Sequence, residues 1–223
     1  MITVHHLNNS RSQRVLWLLE ELGVDYEVKR YQRDPKTMLA PASLRSVHPL
    51  GKAPVITEDG LTIAESGAII EYLIERHGGG RLIPPPGSPE RLSYTYWLHF
   101  AEGSAMPPLL LALVFGRLPQ QPMPFFVRPV ARGLCAKVLE TFIAPQLKAQ
   151  QQFMEGELAK STWFAGEAFS AADVQMSFVV EAHAARGGLD ASRPKLIAWL
   201  ERIHERPAYQ RALAQGGPFE LMR

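Results

Sequence analysis

Cysteine is almost absent from this chain of 223 residues: Cys135 stands alone. A single thiol excludes an intramolecular disulfide and any metal site built from several thiolates. Charge of one sign is lacking too. Twenty-four basic against 22 acidic residues leave a net +2, and the two signs are interspersed, so nothing steers the chain to nucleic acid. The opening MITVHHLNNSRS carries no apolar run of the secretory kind. No window reads as the roughly 18–20 continuous apolar residues of a membrane span. These absences predict a cytoplasmic protein with neither nucleic-acid nor membrane partners. What is present is ample apolar content, 46%, in a chain long enough for one large domain or two small ones.

Ile2-Thr3-Val4 is a short strand candidate. After the polar loop Leu7 to Ser12 comes RVLWLLEEL, with Val15, Leu18, Leu19 and Leu22 at helical spacing and Gly23 as a stop. Tyr26 to Lys29 alternates as a strand does, and Asp34 to Ser46 reads as an irregular helix. Pro54–Thr57 and Leu61–Ala64 flank Glu58-Asp59-Gly60, a hairpin signal. Glu65 to His77 carries the helical stripe Ile69, Ile70, Leu73, Ile74. The order is βαβαββα, an α/β unit over residues 1–80. Residues 81–89 (RLIPPPGSP) suit a linker. Residues 90–223 read as all helical: a bend or break is expected at Met106-Pro107-Pro108, and a long helix from about Val127 to Leu158. A capping box is expected at Ser170/Asp173, opening a helix apolar nearly all round. Such a helix is buried, which makes Asp173 structural. Cys135 reads as a small buried hydrophobe.

The segment His48 to Leu73 concentrates binding potential. Pro54 has no N–H and belongs at the first residue of a strand. The Ala53-Pro54 bond can be cis, which would turn the Ala53 backbone toward a ligand. Glu65 and Ser66 stand where a strand becomes a helix. They can serve as a helix opening, with the serine hydroxyl as cap, or as an anion- and cation-binding pair. Near the first helix, Asn8-Asn9-Ser10-Arg11-Ser12 contains no thiol. Hydroxyls and free N–H groups at a helix start favour an anion there, such as a thiolate carried by a ligand.

This arrangement resembles the soluble glutathione S-transferase family over essentially the whole chain. The resemblance rests on the element order of residues 1–77, Pro54, the pair Glu65-Ser66, the motif FAGEAFSAADV (Phe164 to Val174) and LNNSRSQRVLWLLEEL. The last is similar to bacterial and fungal members with an N-terminal serine. The resemblance implies a thioredoxin-like N-terminal domain, an all-helical C-terminal domain, a homodimer and glutathione as cosubstrate without metal. It implies a detoxifying transferase that joins the glutathione thiolate to small hydrophobic electrophiles. Glutathione-dependent disulfide or peroxide reduction, and a non-catalytic glutathione-binding role, stand as alternatives.

At the sulfur, the resemblance points to Ser10, four residues before Arg14, with the Asn9 amide as a rival. Ser12 reads as an N-cap close to the ligand. Lowering a thiol pKa by about two units needs roughly 2.7 kcal/mol, within reach of one charge-assisted hydrogen bond and a helix end. For the peptide portion, the resemblance implies Glu65 on the α-ammonium and Ser66 on the α-carboxylate. Lys52 falls to the glycine carboxylate, with His48 a weaker candidate, and the Ala53 backbone, set by Pro54, falls to the cysteinyl amide. The second substrate is expected against the helix from Tyr94, with His99, Met106 and Phe115 as candidates. Glu102 reads as surface charge.

Overall fold

The computed structural model describes residues 1–34 and 37–221. The first seven elements are β1 (Ile2–Leu7), α1 (Ser12–Leu22), β2 (Tyr26–Tyr31), α2 (Ala42–Arg45), β3 (Val55–Glu58), β4 (Leu61–Ala64) and α3 (Ser66–His77). They form a four-stranded sheet in the order β2-β1-β3-β4. β1 and β2 run parallel, joined by α1 as the crossover that parallel strands require. β3 is antiparallel to both β1 and β4. The β3–β4 turn is Asp59-Gly60, both at positive φ (49° and 81°), the backbone of the tight turn that matches strand twist.

The segment 34–46 holds less helix than its composition predicts. Helix is confined to Ala42–Arg45, and Pro35 and Lys36 lie outside the described residues. Pro41 ends the loop, since the residue before a helix needs extended backbone and Pro41 has ψ 157°.

The helical part follows. α4 (Pro89–Phe100) opens on Ser88, whose hydroxyl accepts from the Arg91 N–H. The expected break at Pro107-Pro108 is a π turn over Ala101–Ala105, so α4 continues into α5 (Met106–Arg117). The Met106 N–H reaches back five residues to the Ala101 carbonyl. The prolines then fall where missing N–H groups cost least. The Ser104 carbonyl, which Pro108 cannot serve, accepts instead from the Gln150 side chain at 2.8 Å. One continuous helical run therefore covers Pro89–Gln120. Contrary to the sequence reading, it is long and apolar enough to cross a membrane by composition, although a third of its most apolar window (33%) is buried in the protein.

A second π turn, Leu139–Ile143, joins α6 (Arg128–Val138) to α7 (Ala144–Leu158), again just ahead of a proline, Pro145. α8 (Ala171–Arg186), α9 (Pro194–His204) and α10 (Pro207–Gly216) complete the chain. One hydrophobic core runs through both parts, from Leu16 and Leu73 to Phe178 and Trp199. Cys135 is buried.

α8 is buried along its first ten residues. Its capping box forms between Ser170 and Asp173. The Asp173 carboxylate accepts from the Phe164 and Ser170 N–H groups (both 3.0 Å) and from Trp199 Nε1 (3.2 Å). Burial pushes its pKa up to about 6 against those donors.

Two buried histidines set an acid limit. Burial lowers His6 and His183 to about 4. Below their unfolded value of 6.5, the unfolded chain takes up protons that the folded chain refuses, so each contribution is lost as pH falls from 6.5 toward 4. Asp173 acts with the opposite sign, because its raised pKa favours the folded state as pH falls from about 6 to 3.8. With two histidines against one aspartate, net stability is expected to drop by about 4 kcal/mol over this range. Denaturant titrations of the wild type and His183→Gln check this. A slope against pH unchanged in the variant would refute His183 as a source.

Candidate functional site

The sheet register gathers three loops at one edge. His5 pairs with Val55 and Val55 with Ala64. Beyond those pairs, the chain leaving β1 toward Asn8–Arg11, the Ala53-Pro54 step into β3, and the Glu65-Ser66 step out of β4 share one end of the sheet. The Ala53-Pro54 peptide bond is cis. Lys52, next to it, is exposed. His48 sits in the preceding loop, closed by the Gly51 N–H to the His48 carbonyl (2.9 Å), and its buried Nδ1 has no partner among the described residues.

α1 begins at Ser12 with Arg11 as N-cap residue and no side-chain cap. The sequence reading of Ser12 as N-cap is therefore corrected. The capping acceptor comes from outside the helix: Ser10 Oγ takes the Ser12 N–H at 3.2 Å. Ser12 itself is fully buried. Its Oγ lies 2.7 Å from Ser10 Oγ and 2.8 Å from His6 Nδ1. Burial keeps His6 neutral at pH 7, against a hydrogen bond to the Gly216 backbone. The Ser12 hydroxyl also faces the Leu7 carbonyl at 3.3 Å. Ser10, Ser12 and His6 thus form a buried hydrogen-bonded chain that fixes the Ser10 oxygen at the start of α1.

Asn9 adopts φ 50°, a left-handed conformation that asparagine tolerates better than most residues. Its Oδ1 accepts from the Glu220 N–H of the C-terminal tail at 2.9 Å. Its amide nitrogen makes no hydrogen bond among the described residues.

Glu65 is the N-cap of α3 at φ 71° and ψ 120°, and its side chain caps nothing. A residue other than glycine with this backbone is rare and costs about 1–3 kcal/mol, a strain that concentrates at ligand sites. The carboxylate is exposed and unpaired among the described residues. Ser66 is the first helical residue rather than the cap, and it is buried. The first-turn N–H groups of α3 lie beside it, free for an anion.

Behind Ser66 stands a group that sequence reasoning missed. Arg14, 1% exposed, donates from Nη1 to Glu102 Oε1 (2.6 Å), Gln175 Oε1 (3.1 Å) and Ser66 Oγ (3.3 Å). Arg11 Nε reaches the same carboxylate at 2.9 and 3.1 Å. Both guanidinium groups lie over the Phe178 ring, 5.0 and 5.2 Å from its centroid. Burial pulls Arg14 down to about 10, against the attraction of Glu102. Burial likewise pushes the Glu102 carboxyl up, but Arg14 and Arg11 outweigh it and hold the group below its ordinary value. Glu102 is therefore the ionic link between the helical part and the site rather than a surface charge. Two signals pointed to it: Arg14 falls on the buried stripe of α1, and Glu102 is an acid inside an apolar run.

The three second-substrate candidates are not gathered. His99 is exposed on α4, Met106 is in the core, and Phe115 is half-buried. Met106 and Phe115 are nine residues apart on α5, which at about 100° per residue sets them on opposite faces. Beside Asn9 the wall is formed by the tail, whose Phe219 lies 6.2 Å from Phe178. Among the described residues, no group of three His, Cys, Asp or Glu is placed to hold a metal ion.

Comparison with known proteins agrees with this geometry. Residues 1–75 match the model of the glutathione S-transferase N-terminal domain, and residues 143–207 that of its C-terminal domain. The chain is 36% identical over 209 residues to glutathione S-transferase 3 of Schizosaccharomyces pombe, covering 93% of this chain and 85% of that one. It is 30% identical to glutathione S-transferase 1 of Saccharomyces cerevisiae over 98% of both. A glutathione S-transferase crystal structure from Actinobacillus pleuropneumoniae superposes with a TM-score of 0.80 at 31% identity, covering 97% of this chain and 93% of that one. A sphingomonad enzyme solved in complex with glutathione gives 0.73 at 26%, over 97% and 100%. With both domain models matched and these relatives aligned over more than nine-tenths of it, the chain belongs to the glutathione S-transferase family and is a glutathione transferase.

Proposed function

We propose that this transferase holds glutathione along the shared sheet edge and joins its thiolate to small hydrophobic electrophiles. The observation that carries the reading is the unpaired Glu65 carboxylate at a strained helix N-cap, beside the buried Ser66 that Arg14 supports. Glu65 pairs with the α-ammonium. Ser66 and the first-turn N–H groups of α3 take the α-carboxylate, with the Arg14 charge behind them. The Ala53 backbone pairs with the cysteinyl amide, Pro54 fixing where the strand begins. Lys52 meets the glycine carboxylate, with His48 nearby.

The sulfur then lies at the start of α1. The Ser10 hydroxyl turns from Ser12 to the thiolate, exchanging a neutral hydrogen bond for a charge-assisted one. The thiol proton passes to solvent, the new S–C bond forms, and the leaving group departs with its electron pair. The free Asn9 amide favours a second reading, in which Asn9 supplies the hydrogen bond to sulfur.

The relative solved with glutathione supports the peptide-binding half. In a glutathione titration followed by thiolate absorbance, the bound thiol is expected to ionise about two units below free glutathione. Turnover of a chloronitrobenzene is expected to exceed that of a mixed disulfide. Binding without a lowered thiol pKa and without turnover would overturn the proposal. Faster turnover of the disulfide would favour reduction instead. Glu65→Ala is expected to weaken glutathione binding about thirtyfold, the worth of roughly 2 kcal/mol for one lost charge-assisted contact. Calorimetry reads this directly, and unchanged affinity would leave Glu65 as a helix opener only.

The family commonly dimerises, and we infer a cytoplasmic homodimer acting in detoxification. Tyr96, 46% exposed, stacks on Phe100 and meets the ring of Phe153, 39% exposed, edge-on. This aromatic face on α4 and α7 suits a subunit contact. A monomeric sedimentation mass would overturn that assignment.

A further inference from the structure

We propose that the tip of the α5–α6 hairpin docks on an anionic lipid surface. The tip consists of the end of α5, the 3₁₀ turn Leu118–Gln120, the loop 121–127 and the start of α6. At its end Phe125 and Phe126 are 84% and 67% exposed, set edge to face at 5.6 Å. Leu118, Val130 and Leu134 extend the apolar surface down both helices, at 46%, 61% and 65% exposure. A run of large exposed apolar groups on a protruding hairpin marks an interaction surface rather than ordinary scatter.

Charge identifies the partner. Between Glu102 and Glu140 the sequence has no acidic residue, whereas the chain as a whole is nearly balanced. That stretch carries Arg117, Arg128, Arg132 and Lys137. Lys137 pairs with Glu140 at its far end. Arg117, Arg128 and Arg132 make no ion pair or hydrogen bond among the described residues. Aromatic groups at a tip rimmed by arginines match the layering of a membrane interface. The rings reach the acyl boundary, and the arginines extend along apolar surface to the anionic headgroups. A second copy seated by the same patch would set these arginines against their equivalents with no acid to offset them.

Such docking needs no span. α4 and α5 both pack against α8, so the apolar helical run stays with the protein and only the tip enters the interface. The proposal departs from the expectation of no membrane partner, which rested on spanning length alone.

The test is flotation of the whole chain with phosphatidylcholine vesicles, with and without phosphatidylserine. Binding is expected only with phosphatidylserine, and is expected to fall as salt rises. Phe125→Ser/Phe126→Ser and Arg128→Ala/Arg132→Ala are each expected to weaken it at least about tenfold. Both variants are expected to keep turnover of a chloronitrobenzene in solution, because these exposed side chains make no hydrogen bond or ion pair with the residues of the sulfur site among the described residues. Three results would overturn the proposal: no wild-type binding to phosphatidylserine vesicles, equal binding by the variants, or a changed oligomeric mass in the phenylalanine variant with lipid binding intact.

Discussion

Glu102→Ala is expected to destabilise the fold by about 3 kcal/mol, a fall in Tm of roughly 10 °C for a chain of this size. The expectation follows from what is left behind. Arg14 is 1% exposed, and among the described residues its Nε and Nη2 have no partner and Glu102 is its only counter-charge within hydrogen-bonding distance. Removing one member of a buried pair strands the other charge, which typically costs about 3–5 kcal/mol. The lower end applies because the Glu102 side chain is itself 34% exposed and water can partly replace it. Glu102→Ala combined with Arg14→Met should recover much of the loss, since the uncompensated charge then goes as well. The single variant should also raise the KM for glutathione, because Arg14 would no longer be held against Ser66. Chemical denaturation of the two variants separates the effects. A Glu102→Ala change below about 0.5 kcal/mol would mean that the link to Arg14 contributes nothing to stability.

The origin of that ionic link shows where the sequence was legible and where it was not. The elements of the first 77 residues could be read almost throughout, because the strands alternate, Asp59-Gly60 permits one tight turn and Pro54 permits only a strand start. The loops gathered at that sheet edge could be read for the same reason: Ala53-Pro54 and Glu65-Ser66 are local signals at element boundaries. The capping box at Ser170 and Asp173 was equally local. What could not be read depends on contacts between distant segments. Ser12 looks like a cap in isolation, yet His6 draws its hydroxyl inward and Ser10 takes over the acceptor role. The prolines at 107 and 108 announced an interruption, but only the Gln150 amide on α7, which serves the freed Ser104 carbonyl, shows that the helix continues. Which residues meet the second substrate could not be read either, because aromatic and thioether residues on an apolar helix report burial, not which face meets a ligand.

Ser10→Ala is expected to lower kcat/KM toward a chloronitrobenzene by about a hundredfold while leaving glutathione affinity within a few fold. One preorganised donor to a developing or full anion is worth about 2.7–4 kcal/mol where water is excluded. Ser10 meets that condition, at 5% exposure and with its oxygen held between the Ser12 N–H and the Ser12 hydroxyl. The lower end of the range is expected because the backbone N–H groups at the start of α1 survive the change. If the hydroxyl acts on sulfur, the bound thiol pKa must rise in the variant by about one to two units, and raising the pH must restore part of the rate. Asn9→Ala supplies the contrast. Its amide has no partner among the described residues, and its Oδ1 is held by the exposed Glu220 N–H, whereas Ser10 is fixed by a buried chain ending at His6. A weaker hold means less preorganisation, so Asn9→Ala should cost no more than about tenfold. If the two variants reverse this order, the sulfur partner is Asn9 and the Ser10–Ser12–His6 chain serves to shape the loop that presents it.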